Sequence, residues 1–225
     1  MFIFKKRSLC CFIAPFLFLG LISAAACSSG HGQVPEFVAK SQPPAPAGEQ
    51  TAVLAGGCFW GVDAVFKHVK GVRSVVSGFS GGSEDTAQYE LVSTGTTGHA
   101  ESVKITYDPS RVSYSDLLRV FFSVAHDPTE LNRQGPDGGT QYRSVIFYAN
   151  DEQKQIALAY IDQLNQAGVF HSKIVTQVVP LKGFYRAEEY HQNFFERHPN
   201  YPYIVFFDQP KLRALQKQFP SLYKP

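Results

Sequence analysis

The sequence predicts a single folded domain in which a sheet packs against helices, an α+β or α/β sandwich. Segments with strand and helix patterns alternate along the chain from about residue 50 onward. The composition changes once, near residue 50, and no segment repeats itself. Hydrophobic residues make up 44% of the 225 residues, which is enough for a core of normal size. We therefore place the domain at residues 51–225.

Hydrophobic periodicity defines the elements of this domain. The predicted strands share apolar runs or apolar–polar alternation, and they cover residues 52–55, 71–80, 99–107, 143–149 and 173–179. The predicted helices share apolar positions at i, i+3 and i+4, and they cover residues 62–69, 113–125, 151–167 and 187–197, with a further one near 211–219. Ser113 and Asn150 or Asp151 are suited to cap two of these helices, and Gly168 to end one. Two long polar loops, 83–98 and 129–140, lie between the elements, and ordered loops of this length are commonly functional.

The first 26 residues predict a secretory signal peptide. Basic residues at positions 5–7 precede an apolar stretch at 9–22 and three alanines at 24–26. The apolar stretch is short for a membrane span, which needs roughly 20 residues. Cys27 follows the alanines directly, as in a bacterial lipobox, so we expect its lipidation; cleavage after Ala26 with simple secretion is the alternative. We thus expect an exported lipoprotein, in the periplasm or held on a membrane through the lipid anchor only.

Residues 27–50 are expected to form a flexible linker between that anchor and the domain. They are rich in Ser, Gly, Gln, Pro and Ala and offer few side chains for burial. The segment would therefore act as a tether.

Charge and cysteine content exclude two classes of protein. Without the three basic residues of the leader, the 21 Lys and Arg residues fall to 18, against 19 Asp and Glu, for a net charge of −1. Such a balance gives no sign of nucleic-acid binding. The four cysteines are Cys10, Cys11, Cys27 and Cys58, and two of them lie in the leader, so a disulfide framework is excluded.

The stretch Gly56-Gly57-Cys58-Phe59-Trp60-Gly61 is the strongest candidate for a reactive site. Cys58 lies where a predicted strand turns into a helix, and the two glycines permit a tight turn. Because the first amides and the positive end of a helix favour a thiolate, we expect a lowered pKa for Cys58. Phe59 and Trp60 would provide an apolar wall. A buried structural cysteine is the alternative interpretation.

Four further side chains could act together with Cys58, namely Tyr89, Glu101, Asp137 and Tyr142. A carboxyl group that loses contact with water has a raised pKa and can serve as a general acid. Tyrosine hydroxyls can donate hydrogen bonds to an oxygen on which negative charge develops. Each of these residues, taken alone, is more often structural.

Three motifs together resemble a known family. They are Gly57-Cys58-Phe59-Trp60-Gly61, Thr97-Gly98-His99-Ala100-Glu101 and Gly139-Thr140-Gln141-Tyr142-Arg143-Ser144. Their order and spacing are similar to those of the A class of peptide methionine sulfoxide reductases, over about residues 51–200. The resemblance implies a ferredoxin-like α+β sandwich and reduction of the S epimer of methionine sulfoxide, free or in proteins. It implies a repair enzyme for oxidised proteins, active under oxidative stress as a monomer and without a cofactor.

The resemblance also implies a role for each candidate residue. Cys58 would attack the sulfoxide sulfur and become a sulfenic acid, and Glu101 would protonate the sulfoxide oxygen. Tyr89 and Tyr142 would hydrogen-bond that oxygen. The substrate's methyl group would be held by Phe59 and Trp60, and Asp137 would bind near the substrate backbone.

The chain departs from the family pattern in two places. Many members carry one or two further cysteines near the C-terminus that recycle the catalytic cysteine, whereas no cysteine follows Cys58 here. We therefore expect an external thiol reductant, such as a thioredoxin-type protein, to resolve the sulfenic acid. The residue after Asp137 is commonly His in the family and is Gly138 here.

Functions from other classes are also open at this point. A thiol hydrolase or acyltransferase would combine Cys58 with His99 or His126. A metal site could use Cys58, His99, Glu101 and His126, although no pair among them has the close spacing of zinc motifs. A catalytically inactive lipoprotein that binds oxidised peptides is the third alternative.

Overall fold

A six-stranded sheet lies at the centre of the computed structural model, which describes residues 33–38 and 48–225. The strands in chain order are β1 (Gln50–Gly56), β2 (Val72–Ser80), β3 (Ala100–Tyr107), β4 (Arg133–Gln134), β5 (Asp137–Gly138), β6 (Ser144–Tyr148), β7 (Gln177–Pro180) and β8 (Tyr185–Arg186). The sheet has the order β7-β6-β1-β3-β2-β8, and β4 pairs with β5 in a separate small ribbon. Neighbouring strands are antiparallel except β6 and β7, which are parallel.

Six α-helices accompany the sheet in the described part of the chain. They are α1 (Phe59–Lys67), α2 (Tyr89–Val92), α3 (Tyr114–Val120), α4 (Asp151–Gln166), α5 (Phe194–Arg197) and α6 (Gln209–Gln218). Wider π-type turns continue α3 at Phe121–Ala125 and precede α6 at Ile204–Asp208. The predicted caps are confirmed: Ser113 and Asp116 form a capping box on α3, and the Asn150 side chain accepts from the Gln153 amide at 2.9 Å.

The connection order explains the architecture. The run β1-α1-β2-β3-α3-β6 is the β-α-β-β-α-β pattern, and its strands lie in the order β6-β1-β3-β2. This is the ferredoxin-like arrangement that the family resemblance implies, with β7 and β8 added at the two edges. The predicted two-layer sandwich in one domain is therefore confirmed.

The two faces of the sheet are buried to different extents. Alternation along β1 sends Leu54 to one face and Val53 to the other. The helix-covered face holds the main core, where Leu54 and Ile105 pack with Phe66 of α1 and Leu117 of α3. The opposite face holds a small hydrophobic cluster, against which Leu181 and Phe184 pack. The buried members of this cluster are Val53, Ala55, Ala100, Val145 and Phe147.

The helix predicted over 187–197 is wrong. A 3-10 turn at Glu189–His191 and the four-residue α5 are separated by Asn193, which has a left-handed φ of 55°. The reason is the buried Gln192, whose side chain accepts from the Ser77 amide and donates to the Ser77 carbonyl. Because Gln192 satisfies backbone groups of Ser77 in β2, next to the short stretch that pairs with β8, the chain follows an irregular path that a regular helix could not take.

Residues 33–38, which lie within the predicted linker, are docked on the domain. Val34 is buried in the main core, and its carbonyl accepts from Arg119 Nε at 3.1 Å. The Val38 amide donates to Gln163 of α4 at 3.0 Å. The predictions made for residues 1–32 and 39–47 lie outside the described residues. No helix in the ranges 33–38 and 48–225 is long and apolar enough to cross a membrane.

The docking can be tested with two valines of the same segment. Val34→Ala should lower the free energy of unfolding by about 1–2 kcal/mol, because it removes buried methyl groups. Val38→Ala is the matched control, since the Val38 side chain is 76% exposed, and should leave stability unchanged. Urea unfolding of both variants decides the matter, and equal stability of the two would contradict the docking.

Candidate active site

Cys58 lies at the turn between β1 and α1 and is the N-cap residue of the helix. Gly57 before it has a φ of 87°, which suits glycine. A side chain at Gly57 would also collide with Gln134 of β4, whose Cβ lies 2.6 Å from the position of the missing Cβ. The turn thus packs against the loop that carries β4 and β5, and Cys58 keeps 8% of its surface exposed.

Glu101 on β3 faces Cys58 and the start of α1. The Phe59 amide donates to Glu101 Oε2 at 3.0 Å, and the Cys58 thiol hydrogen-bonds to the same carboxyl group. The Cys58 side chain makes no capping hydrogen bond to α1. Glu101 is 2% exposed, so the thiol and the carboxyl group meet in a site from which most water is excluded.

The expectation of a lowered pKa for Cys58 is wrong. Burial raises the pKa of the thiol well above its ordinary value, and the carboxyl groups of Glu101 and Asp208 raise it further. The Trp60 amide and Lys211 act in the opposite direction but are weaker. The helix start does favour the thiolate, as expected, but loss of solvation and two acidic neighbours outweigh it. Cys58 is therefore a thiol at neutral pH.

Glu101 carries a proton at neutral pH. Burial raises its pKa to about 8, although the hydrogen bonds from Phe59 and Cys58 lower it in part. A carboxyl group with this pKa is protonated below pH 8 and becomes a carboxylate above it. The site thus holds two protons in contact, one on sulfur and one on a carboxyl oxygen.

Tyr89 and Tyr142 flank this pair. Burial, and next the Glu101 carboxyl group, raise the pKa of Tyr89 to about 12 and raise that of Tyr142 as well. Both hydroxyls therefore remain protonated and able to donate. The Tyr89 amide donates to Glu188 at 2.9 Å, which ties α2 to the chain before the 3-10 turn.

Asp137 on β5 is held by a residue that sequence reasoning had not assigned. The Tyr203 hydroxyl donates to Asp137 Oδ2. Burial raises the pKa of both groups. The Tyr203 ring also contacts the Trp60 ring edge to face, with centroids 5.8 Å apart.

Phe59 and Trp60 occupy different environments. Phe59 is 1% exposed and packs against Phe79 and His191, so it forms part of the site's floor. Trp60 is half-buried, stacks on Phe194 at 3.8 Å, and donates from Nε1 to His191 Nδ1 at 3.2 Å. Its orientation is thereby fixed at the rim.

Sequence reasoning missed several residues of the C-terminal segment that the structure brings to the site. They are His191, Tyr203, Asp208 and Lys211. Pro210 near the start of α6 and the preceding Asp208 indicate a helix start, but nothing in the sequence predicts their proximity to Cys58.

The two histidines considered as partners of Cys58 are both engaged elsewhere. His99 accepts from the Gly82 amide through Nδ1, and its Nε2 contacts the Ser83 carbonyl. His126 contacts the Phe121 carbonyl and the Ser144 hydroxyl, and burial lowers its pKa to about 3. Neither ring has a nitrogen free to act as a base. Within residues 33–38 and 48–225, no group of three or more His, Cys, Asp or Glu side chains is placed to hold a metal ion.

The ferredoxin-like core and its pairing of a cysteine with a protonated carboxyl group define a protein of the thiol oxidoreductase class. The family model for peptide methionine sulfoxide reductase matches residues 50–222. A peptide methionine sulfoxide reductase MsrA 2 of Mesorhizobium japonicum is 61% identical over 80% of this chain and 92% of its own length. An MsrA 2 of Synechocystis is 54% identical over 79% and 83%.

Solved structures agree with the sequence relatives. Reduced Mxr1 from Saccharomyces cerevisiae has a TM-score of 0.61 and 32% identity over 74% of this chain and 94% of its own. Methionine sulfoxide reductase A of Corynebacterium diphtheriae has a TM-score of 0.58 and 35% identity over 68% and 77%. The chain therefore belongs to the peptide methionine sulfoxide reductase family, and it is an oxidoreductase that reduces methionine sulfoxide in a thiol-dependent reaction. The resemblance inferred from its motifs is confirmed.

Proposed function

We propose that Cys58 is the nucleophile and Glu101 the acid in reduction of the S epimer of methionine sulfoxide, free or in proteins. The observation that carries this proposal is the buried Glu101 carboxyl group, which accepts from the Phe59 amide at 3.0 Å directly beside the buried Cys58. Burial raises the pKa of both groups. A sulfoxide oxygen is a poor leaving group until it is protonated. Attack by sulfur therefore needs an acid close to the nucleophile.

Cys58 and Glu101 together supply the proton and the two electrons that the reaction requires. Glu101 gives its proton to the sulfoxide oxygen while Cys58 sulfur bonds to the sulfoxide sulfur, and the thiol proton returns to Glu101. The oxygen then passes to Cys58, the bond between the two sulfurs breaks, and methionine leaves. Cys58 is oxidised by two electrons to a sulfenic acid, and the sulfoxide is reduced by two electrons.

The remaining residues fit binding roles in this reaction. Tyr89 and Tyr142 would donate to the sulfoxide oxygen, since raised pKa values keep their hydroxyls protonated. Trp60 would face the substrate's methyl group at the rim, with Phe59 behind it. Asp137, held by Tyr203, would contact the backbone of the substrate.

Recycling of Cys58 would depend on an external thiol. Cys58 is the one cysteine in the described part of the chain, and the others lie at positions 10, 11 and 27. A first external thiol would attack as its thiolate and form a mixed disulfide, and the sulfenic oxygen would leave as water with the proton that the thiol gave up. A second thiolate, as in a thioredoxin-type dithiol, would then release reduced Cys58 and a disulfide of the reductant.

We also propose that the enzyme is exported and anchored through lipidation of Cys27. The basic residues, the apolar stretch and the alanines before Cys27 support this proposal.

Expression in a bacterium fed labelled palmitate tests the anchor. The full chain should carry label and sediment with membranes, whereas Cys27→Ser should lose both properties. An unlabelled full chain recovered from the periplasm would favour simple secretion.

The role of Glu101 predicts a specific pH dependence. Because the acid must hold its proton, the rate of the reductase step should fall as the pH rises through about 8. Glu101→Gln should slow that step by about 100-fold or more and abolish this fall, since the amide does not titrate in this range. Single-turnover release of methionine between pH 6 and 10, with circular dichroism to check folding, measures both effects. A Glu101→Gln enzyme of near-normal rate would assign the acid elsewhere.

The cysteine content predicts a stoichiometry. A form that starts at residue 27 and carries Cys27→Ser, given excess methionine sulfoxide and no thiol, should release one methionine per enzyme and stop. Its intact mass should rise by one oxygen, about 16 Da, and dimedone should label Cys58. A dithiol should restore turnover, and added Cys58→Ser should abolish release while the fold survives. Two methionines per enzyme without reductant would contradict external recycling.

A further inference from the structure

An ion pair of the C-terminal segment lies against the first turn of α1. Asp208 immediately precedes α6, and its Oδ1 lies 3.2 Å from Lys211 Nζ. Asp208 is 1% exposed, although charged side chains of this kind are almost never fully buried without a reason. The carboxyl group of the pair is thus buried, whereas the Lys211 side chain keeps 22% of its surface exposed.

The pair is close to Cys58 because Gly61 has no side chain. A Cβ at Gly61 would lie 2.1 Å from Asp208 Oδ1 and 2.8 Å from Lys211 Nζ. Gly61 is the third residue of the first turn that Cys58 caps. Any other residue here would push the ion pair away from the start of the helix.

Capping of α6 does not explain why Asp208 is buried here. Its side chain makes no capping hydrogen bond to α6, and its Oδ2 is buried without a hydrogen-bond partner among the described residues. An unpaired buried carboxylate oxygen is costly to stability. Such a cost points to a role at the neighbouring site.

We propose that Lys211, held in place by Asp208, is a positioning residue that favours ionisation of Cys58 against the burial and the carboxyl groups that oppose it. Lys211 carries the positive charge and favours the thiolate, whereas Asp208 fixes the ammonium group and moderates its effect. The proposal rests on the proposed function in one respect, that Cys58 is the reacting thiol.

The other groups around Cys58 cannot replace Lys211. Glu101 of β3 faces the thiol and disfavours its ionisation, as does Asp208. The remaining titratable side chains near the site are acidic groups or neutral donors on other elements, namely Tyr89 of α2, Asp137 of β5, and Tyr142 and Tyr203 of the connecting turns. The rings of His126 and His191 also lie nearby, and burial lowers the pKa of both, so they are neutral at pH 7. Among the described residues, Lys211 is the cation that acts on Cys58.

Recycling is the step that needs this charge. When a second thiol attacks the mixed disulfide, Cys58 leaves as a thiolate, and a leaving thiol of lower pKa leaves faster. A nearby ammonium group stabilises that thiolate. In a chain that relies on an external reductant, Lys211 would thus speed the release of Cys58.

The experiment measures the ionisation of Cys58 directly in the full chain. Alkylation of Cys58 by iodoacetamide is followed between pH 6 and 11 by mass spectrometry of its peptide, which separates it from the other cysteines. The alkylation rate rises with pH as the thiol ionises, and its midpoint is the pH at which the rate is half of its limiting value. In Lys211→Met this midpoint should lie at higher pH, and alkylation at any one pH below the midpoint should be about tenfold slower than in the wild type. Lys211→Arg, which keeps the charge, should retain the wild-type midpoint, and so should Lys217→Met, which removes an exposed lysine of the same helix.

Asp208→Asn provides the opposite test. It removes the negative charge, whereas the amide oxygen of the new side chain can still accept the hydrogen bond from Lys211 Nζ that keeps the ammonium group in place. Its midpoint should move to lower pH. A structural change alone would alter the limiting rate at high pH, or move both variants in the same direction. A wild-type midpoint in Lys211→Met, or a midpoint that does not fall in Asp208→Asn, would overturn the proposal. Neither outcome depends on methionine sulfoxide turnover, so failure here is distinguishable from failure of the proposed function.

Discussion

The site depends on one hydrogen bond, from the Phe59 amide at the start of α1 to the buried Glu101 carboxyl group of β3. This bond joins the helix that presents Cys58 to the strand that presents the acid, and it satisfies an amide that the helix itself cannot pair. It holds Glu101 against the thiol in a site of low solvent content. The Cys58 thiol and the Glu101 carboxyl group both keep their protons there, and a proton can pass from one group to the other.

The C-terminal segment completes the site from the opposite side. Tyr203 contacts both Asp137 and Trp60, and Asp208 with Lys211 lies over Gly61. In relatives with further cysteines the end of the chain is expected to supply thiols, whereas here the same region supplies an aromatic ring and an ion pair. Under the proposals made above, recycling passes to another molecule, and the C-terminal segment acts on Cys58 through packing and charge.

The strands and the longer helices could be predicted because each has a face that must be buried. The alternation along residues 99–107 and the helical spacing over 151–167 each indicate the buried face from the residues of that element alone. The prediction for 187–197 was wrong because its helical periodicity is overridden by Gln192, which pairs with the edge of β2. The composition of 27–50 as a whole predicts a flexible segment, yet Val34 is buried in the core and Phe37 packs against it.

The sequence by itself determined the fold class, the turn that carries Cys58, and the family to which three motifs assign the chain. These features follow from local periodicity, turn chemistry and residue order. Only the tertiary structure decided that the pKa of Cys58 is raised, and that Asp208 and Lys211 lie beside it. The reason is that burial and charge act through space between residues far apart in the chain, whereas the helix start that favours a thiolate is a local feature.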